Sequence, residues 1–375
     1  MTRSWLLLPL LIIAGAIRIA VNNVVHFSRA DETVYLLYAR TLAGGDGYPK
    51  LIRMFIDDPG MWVFTNPLRW SYLGVAAFFS SSHHTLAVLS TLAGIAAVAL
   101  TYWVARELFD EAVALTATAL VATSPLQLAL GRRALADEFF CAAVLASIAT
   151  LLMHARTRRI PWLAAWVITT TIAIAAKEQF LFIYPVVLLF WWLRTRVIHW
   201  VAWVLPPFLF YAVFCLLARD FTSFARIARI ITRAMTAPYA EQYQSGPPHR
   251  LILDSMALAP LVTIVALAAL VAVALRRETF APEARHLAAL VAGILLVHAV
   301  LPSQNLRYIV SADPLLRILA GVYVIKEGCS GRGLAGALGV NAVVELLLFY
   351  RVFLVGEVYD PVTAHVLRAL EMLPR

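Results

Sequence analysis

Asp31 and Glu32 stand side by side in Ser28-Arg29-Ala30-Asp31-Glu32-Thr33-Val34-Tyr35, shortly past the first long hydrophobic segment of a chain in which only 14% of residues are charged. A second acidic pair, Asp137-Glu138, closes the stretch Gly131-Arg132-Arg133-Ala134-Leu135-Ala136-Asp137-Glu138. Basic groups stand at comparable places, Lys177 after the apolar run 168–176 and Arg307-Tyr308 within Asn305-Leu306-Arg307-Tyr308-Ile309-Val310-Ser311-Ala312-Asp313-Pro314. Carboxylates can take a proton from an incoming hydroxyl, and cations can stabilise the charge that grows on a departing phosphate, so the set fits transfer of a group from a phosphate ester. Each feature also has a plain reading: a solvated helix start for Asp31-Glu32, an ion pair of Arg132 or Arg133 with Asp137 at helical spacing, and a snorkelling lysine at 177.

The elements that carry these residues follow from composition. The 375 residues are 62% hydrophobic, with a mean hydropathy of +0.79. That is more apolar surface than a soluble core of this size hides, and the chain reads as an all-α, polytopic membrane protein. About eleven transmembrane helices are expected, near residues 5–21, 86–105, 111–126, 138–155, 161–176, 180–193, 199–217, 252–275, 286–301, 308–325 and 333–355. The apolar stretch 74–80 is too brief to span and is expected at the interface or at the start of the next helix. No small-residue cleavage site follows the first segment, where Arg18, Asn22, Asn23 and His26 occur instead, so it is expected to be a retained anchor.

With the N-terminus in the cytoplasm, alternating spans place the basic turns 154–159, 194–196, 276–285 and 326–332 on the cytoplasmic side, as the positive-inside tendency asks. Residues 22–85, 124–138, 177–179, 218–250 and 302–308 then share the outer side, which gathers both acidic pairs, Lys177 and Arg307. Helical periodicity over Glu32, Tyr35, Leu36, Ala39 and Leu42 predicts an interfacial helix in the first outer loop. In the 218–250 loop, Arg226, Arg229 and Arg233 share one helix face and Phe224, Ile227, Ala228, Ile231 and Met235 the other, which predicts a second interfacial helix, followed by a turn at 244–249. The net charge of +9 is spread among the spans, so anionic lipids and phosphates are the expected partners and nucleic acid is not. The three cysteines, Cys141, Cys215 and Cys329, offer neither a disulfide framework nor a CxxC metal motif. His26, His83 and His84 share the first outer loop, but a divalent metal is not indicated.

The order of these motifs resembles the GT-C superfamily of integral membrane glycosyltransferases. It looks most like the branch of protein O-mannosyltransferases and of bacterial aminoarabinose and lipopolysaccharide-core transferases. The matching residues are Asp31, Glu32, Tyr35, Ala39, Leu42 and Gly45; Arg132 with Asp137, or Arg133 with Glu138; Lys177; and Arg307, Tyr308 and Pro314. The resemblance implies a polyprenyl-phosphate sugar as donor and co-substrate, no nucleotide pocket, and inverting transfer at the outer face to a glycan, lipid or protein acceptor. It further implies Asp31 as general base with Glu32 in support, Asp137 or Glu138 positioning groups in the same cavity, Arg132, Lys177 and Arg307 on the donor phosphate, and Tyr308 orienting it.

The whole of 1–375 reads as a single integral membrane domain, with a catalytic-type module over 1–217 that includes the outer loop 22–85, and a more variable part over 218–375 that completes the cavity. A bacterial inner membrane, with the site facing the periplasm or exterior, is the expected location. A transporter or flippase for a lipid-linked or anionic substrate is the alternative; the missing internal repeats and the one-sided charges count against it.

Overall fold

The structure, a computed structural model, describes residues 4–23, 30–62, 65–197, 199–234, 247–301 and 304–356, without the side chains of Ala30 and Arg277. Every regular element among these residues is helical. The first half contains α1 (Leu7–Asn22), α2 (Ala30–Ala43), α3 (Tyr48–Asp57), α4 (Trp70–Ala76), α5 (His83–Leu108), α6 (Glu111–Ala122), α7 (Pro125–Gly131), α8 (Asp137–Thr157) and α9 (Ile160–Ala176). The second contains α10 (Phe180–Thr195), α11 (Trp200–Ala218), α12 (Thr222–Ala234), α13 (Arg250–Leu258), α14 (Pro260–Leu275), α15 (Pro282–Val300), α16 (Ala312–Lys326) and α17 (Gly331–Phe349).

Among the described residues, α5, α8, α11, α15 and the stretch Gly331–Val355 are long and apolar enough to cross a bilayer, and α6 and α7, bent by 56° at their break, meet the same measure only when taken together. Helices α1, α9, α10 and α14 are equally apolar but shorter. Local chemistry sets the boundaries. Ser82 and Asp110 cap α5 and α6 by accepting backbone N–H groups from Thr85 and Val113. Pro125 opens α7 behind the Ser124 cap, which accounts for the bend inside the expected 111–126 span. The expected span 252–275 is likewise broken: Ala259, held out of the helical region ahead of Pro260, divides it into α13 and α14.

Three helix C-termini, those of α8, α10 and α11, end on arginines in the left-handed conformation, Arg158, Arg196 and Arg219. Glycine is usual there, and a side chain costs about 1 kcal/mol.

Ion pairs sort the connecting turns into two ends. Arg156–Glu107 at 2.9 Å, Arg194–Glu283 at 2.8 Å and the Arg158 bond to the Thr195 carbonyl tie together the turns read above as cytoplasmic. In the same region, Lys326 reaches the Thr279 carbonyl across the α14–α15 and α16–α17 turns. Helices α2, α3, α4 and α12 lie at the opposite end. Of the two predicted interfacial helices, one is α2 and the other is α12, whose Arg226, Arg229 and Arg233 are exposed while Ile227 and Ile230 are buried. Phe224 packs edge-on against Phe210, Tyr211 and Phe214 of α11, so protein as well as any lipid covers this apolar face. The apolar stretch 74–80 belongs to α4 and the short turn after it, separate from α5. His26, Met235, Pro302 and residues 244–246 of the expected turn 244–249 lie outside the described residues.

Helix α16 sits in the core. Arg317, fully buried there, bonds Asp313 at 2.9 Å, Glu345 of α17 at 2.9 Å and the Leu120 carbonyl at 2.6 Å. Ser124 donates to Asp313 and Thr123 to Glu345, so the break between α6 and α7 is satisfied by the network that locks α16 to α17.

Candidate active site

Asp31 and Glu32 open α2, where the positive end of the helix dipole favours acidic side chains. The two point to different neighbours. Glu32 is wholly buried, accepting from Arg133 Nη2 at 2.8 Å and from the Ala134 backbone N–H at 3.0 Å. Asp31 keeps a side-chain exposure of 20% and meets Arg307 Nη1 at 2.5 Å.

Residues 132–136 are not helical, so the ion pair of Arg132 or Arg133 with Asp137 expected from helical spacing does not form. Asp137, the first residue of α8, instead faces Lys177 and Arg307: its Oδ1 is 2.6 Å from Lys177 Nζ and its Oδ2 is 3.1 Å from Arg307 Nη2. Glu138, one step round the helix, points into the core near Arg18 of α1, with Gly94 of α5 packed so closely that a Cβ there would lie 3.1 Å from Arg18 Nε and 3.3 Å from Glu138 Oε2. Arg132 is buried and donates to the Phe353 carbonyl at 3.3 Å. The adjacent acids at 137 and 138 therefore part company.

Lys177 follows the last residue of α9 and lies with Nζ 5.0 Å from the Tyr308 ring centroid and 5.9 Å from that of Phe140, within cation–π range. Burial lowers its pKa to about 8, although the Asp137 carboxylate beside it works against that shift. Arg307 and Tyr308 occupy a tight turn, Leu306–Ile309, capped by the Asn305 side chain, which accepts the Arg307 N–H at 2.9 Å. Gln179 fixes the same turn by donating to the Tyr308 carbonyl at 2.9 Å, and Gln127 holds the next residues through the Val310 carbonyl at 2.9 Å. Arg307 is thus presented by a turn tied to its surroundings through Asn305, Gln179 and Gln127.

A second set of groups braces the first, and most of it carries no motif or periodicity in the sequence. Arg69, just ahead of α4, makes a two-pronged ion pair with Glu178, each prong 3.0 Å, and also bonds the Tyr35 and Thr65 hydroxyls. Asn66 donates to Glu178 at 2.8 Å. Burial would raise the Glu178 pKa, but the Arg69 charge and these hydrogen bonds prevail and bring it down to about 2. Tyr35 lies one turn along α2 from Asp31, and Glu178 follows Lys177, so Arg69 links the helix bearing Asp31 to the turn bearing Lys177. Arg69 sits in an irregular stretch with no helical period around it, and of this second set only Tyr35 belongs to the sequence motif.

Asp31, Asp137, Lys177 and Arg307 therefore form one charge-balanced cluster, buried at Asp137 and Lys177 and open at Asp31 and Arg307. Glu32 flanks it, Tyr308 lines it, and Glu138 and Arg132 are directed elsewhere. Such an arrangement can exchange a carboxylate for a phosphate on the two cations and leave a carboxylate at the rim to accept a proton. No group of three or more His, Cys, Asp or Glu side chains able to hold a metal occurs among the described residues.

Residues 5–232 match the family model described as dolichyl-phosphate-mannose-protein mannosyltransferase, a range that includes Asp31, Asp137 and Lys177 and stops short of Arg307. No match is found among curated proteins. The fold is similar to that of ArnT from Cupriavidus metallidurans in the apo state, with a TM-score of 0.57 and 18% identity over 90% of this chain and 62% of that one. The same protein bound to undecaprenyl phosphate aligns with a TM-score of 0.54 and 17% identity over 99% of this chain and 75% of that one. The oligosaccharyltransferase of Archaeoglobus fulgidus, tethered to an acceptor peptide containing the NVT sequon, gives a TM-score of 0.60 at 13% identity, over 93% of this chain and 54% of that one. The chain thus spans less than two thirds of the apo ArnT chain and little more than half of the oligosaccharyltransferase.

Proposed function

The chain belongs to the dolichyl-phosphate-mannose-protein mannosyltransferase family, and from that premise we propose that it transfers a sugar from a polyprenyl-phosphate donor to an acceptor hydroxyl at the outer face of the membrane, with inversion. The observation that carries this reading is the pairing of Lys177 and Arg307 on the Asp137 carboxylate, with Asp31 held at the open side by the same Arg307.

In the resting site each cation is neutralised by a carboxylate. The donor phosphate enters between Lys177 and Arg307, and Arg307 loosens its hold on Asp31. Asp31 then takes the proton from the acceptor hydroxyl as that oxygen attacks the anomeric carbon, the bond from this carbon to the phosphate oxygen breaks, and the electron pair leaves with the phosphate, whose added charge meets Lys177 and Arg307. A phosphate so stabilised leaves without a general acid, which is why a single carboxylate base suffices where ordinary glycoside hydrolysis uses a pair. Asp137 sets the spacing of the two cations, Tyr308 orients the phosphate beside Lys177, and Glu32 anchors the start of α2 through Arg133. Arg307 comes from the second half of the chain, which supports a 218–375 part that completes a cavity built mainly by 1–217. The structural similarity to ArnT bound to undecaprenyl phosphate supports a lipid-phosphate donor.

The basic turns at the end opposite the cluster support an outward-facing site, with the inner membrane of a bacterium as its setting. The test is mass analysis of cell-envelope glycans and polyprenyl-phosphate sugars with and without the protein. Loss of one modification together with accumulation of one lipid-linked sugar is expected and names acceptor and donor; unchanged profiles of both would remove the proposal.

A further inference from the structure

At the bundle end opposite the charge cluster, the first turns of α9 and α11 enclose an open, apolar groove of about 570 Å³, lined by Ile160, Leu163, Ala164, Ile168, Trp200 and Val201 among others. Its size falls in the range that accommodates a lipid-sized chain. Ile160 and Val201 are 78% and 79% exposed, so the groove faces the surrounding medium, which for this apolar surface is the bilayer.

Arginines without a carboxylate among the described residues occupy the two turns that lead into its helices. Arg106, Arg156, Arg194 and Arg276 each have a carboxylate, on Glu111, Glu107, Glu283 and Glu327. Arg158, Arg159 and Arg196 have none among the described residues. Arg158 spans from the α8–α9 turn to the Thr195 carbonyl in the α10–α11 turn, Arg159 immediately precedes the groove residue Ile160 and is exposed, and Arg196 lies over the Trp192 ring at 4.9 Å. Two of the three, Arg158 and Arg196, hold left-handed positions that local backbone energetics would give to glycine. His199 lines the groove itself, and its Nε2 is buried without a hydrogen-bond partner among the described residues. Exposed Trp200, packed edge-on against Trp203, puts the mouth at the depth where indole rings favour the headgroup region.

We propose that this groove is a binding site for one anionic phospholipid of the leaflet at this end, with an acyl chain along α9 and α11 and the phosphate held by Arg158, Arg159 and Arg196, within reach of His199. The three arginines supply the charge, His199 a directed hydrogen bond, and the groove the apolar contact. The site is separate from the charge cluster and stands whether or not the chain transfers sugars.

Native mass spectrometry of the full chain, exchanged into micelles containing equal amounts of phosphatidylglycerol and phosphatidylcholine, tests it. The unaltered protein is expected to retain phosphatidylglycerol with a preference of about tenfold or more, given the gain of about fivefold that each surface arginine brings toward an anionic lipid. The triple variant Arg158→Gln, Arg159→Gln, Arg196→Gln should bring the preference to about parity, and Arg159→Gln alone, which removes an exposed side chain and leaves the fold undisturbed, should lower it about fivefold. Ala164→Trp, which fills the groove, should cut retention of phosphatidylglycerol, whereas Arg156→Gln should leave the preference unchanged. Equal retention of both lipids by the unaltered protein, a preference that survives both Arg159→Gln and Ala164→Trp, or displacement of phosphatidylglycerol by an equal amount of polyprenyl phosphate would overturn the assignment.

Discussion

Arg307 and Asp31 meet at 2.5 Å although 276 positions of sequence separate them, and the same guanidinium reaches Asp137 at 3.1 Å. A carboxylate held this way is already engaged, so its use as a base depends on what else Arg307 can bind. The predictions below follow from that dependence.

Asp31→Asn keeps the shape of the side chain and removes its basicity. Turnover in a transfer assay with a polyprenyl-phosphate sugar is expected to fall by about a hundredfold to ten-thousandfold, with membrane insertion intact and stability changed by no more than about 1 kcal/mol for this partly exposed pair. Full activity in the variant would take the base role away from Asp31.

Lys177→Ala and Arg307→Ala are expected to act on donor use, raising the KM for donor by roughly tenfold to a hundredfold, as loss of a charge-assisted hydrogen bond to phosphate would. Arg307→Lys retains the charge but loses the fork that spans both carboxylates, so its KM should fall between those of the wild type and Arg307→Ala. Normal donor kinetics in both alanine variants would sink the phosphate role.

Raising the pH separates binding from folding at Lys177. Its folded pKa of about 8 lies below the ordinary 10.5, so between these values the unfolded chain holds a proton that the folded chain lacks, and this group's contribution to stability rises with pH through that window. Phosphate binding runs the other way. Donor KM should increase about tenfold between pH 7 and about 9 as the ammonium form is lost, with no matching drop in thermal midpoint from this residue. A KM flat across that range would show that the lysine charge does not hold the donor.

Glu32→Ala removes the carboxylate that buried Arg133 meets at 2.8 Å, and a loss of about 3–5 kcal/mol is expected. Pairing it with Arg133→Met should recover much of that, because the buried charge goes too. Thermal unfolding in detergent reads both. Unimpaired stability together with lost turnover in Glu32→Ala would instead make Glu32 a reacting group.

Gly94→Ala tests where Glu138 points. The added methyl would press on Arg18 Nε and Glu138 Oε2 at 3.1 and 3.3 Å, and a destabilisation of about 1–3 kcal/mol is expected from overpacking at a fixed polar contact. An unchanged unfolding temperature would mean that the Arg18–Glu138 region has room the structure does not show.

Much of this site was legible because membrane chemistry makes a charge at the end of an apolar run expensive without a partner. That reasoning singles out Asp31, Glu32, Asp137, Glu138, Arg132, Lys177, Arg307 and Tyr308, and of these the structure gathers Asp31, Asp137, Lys177 and Arg307 into one ion-paired cluster. What it could not resolve was direction. Neighbouring residues on a helix point about 100° apart, so Asp137 and Glu138, or Asp31 and Glu32, are equivalent in the sequence until the surrounding helices show which side faces the cluster. Arg69 and Glu178 were missed as a pair for another reason: 109 positions separate them, and Arg69 sits in an irregular stretch with no period to assign it a face. The break at Ala259 was written in Pro260 but masked by the unbroken hydropathy on either side.

In the balanced quartet of Asp31, Asp137, Lys177 and Arg307, each cation already has a carboxylate that an incoming anion must compete with. Any ligand has to displace carboxylates already in place, so the measured affinity for a lipid phosphate is the difference between two sets of ion pairs rather than the strength of one. Neutral lipids gain nothing from that exchange. On the proposed function, a preference for charged headgroups follows from these carboxylates and precedes any recognition of the sugar.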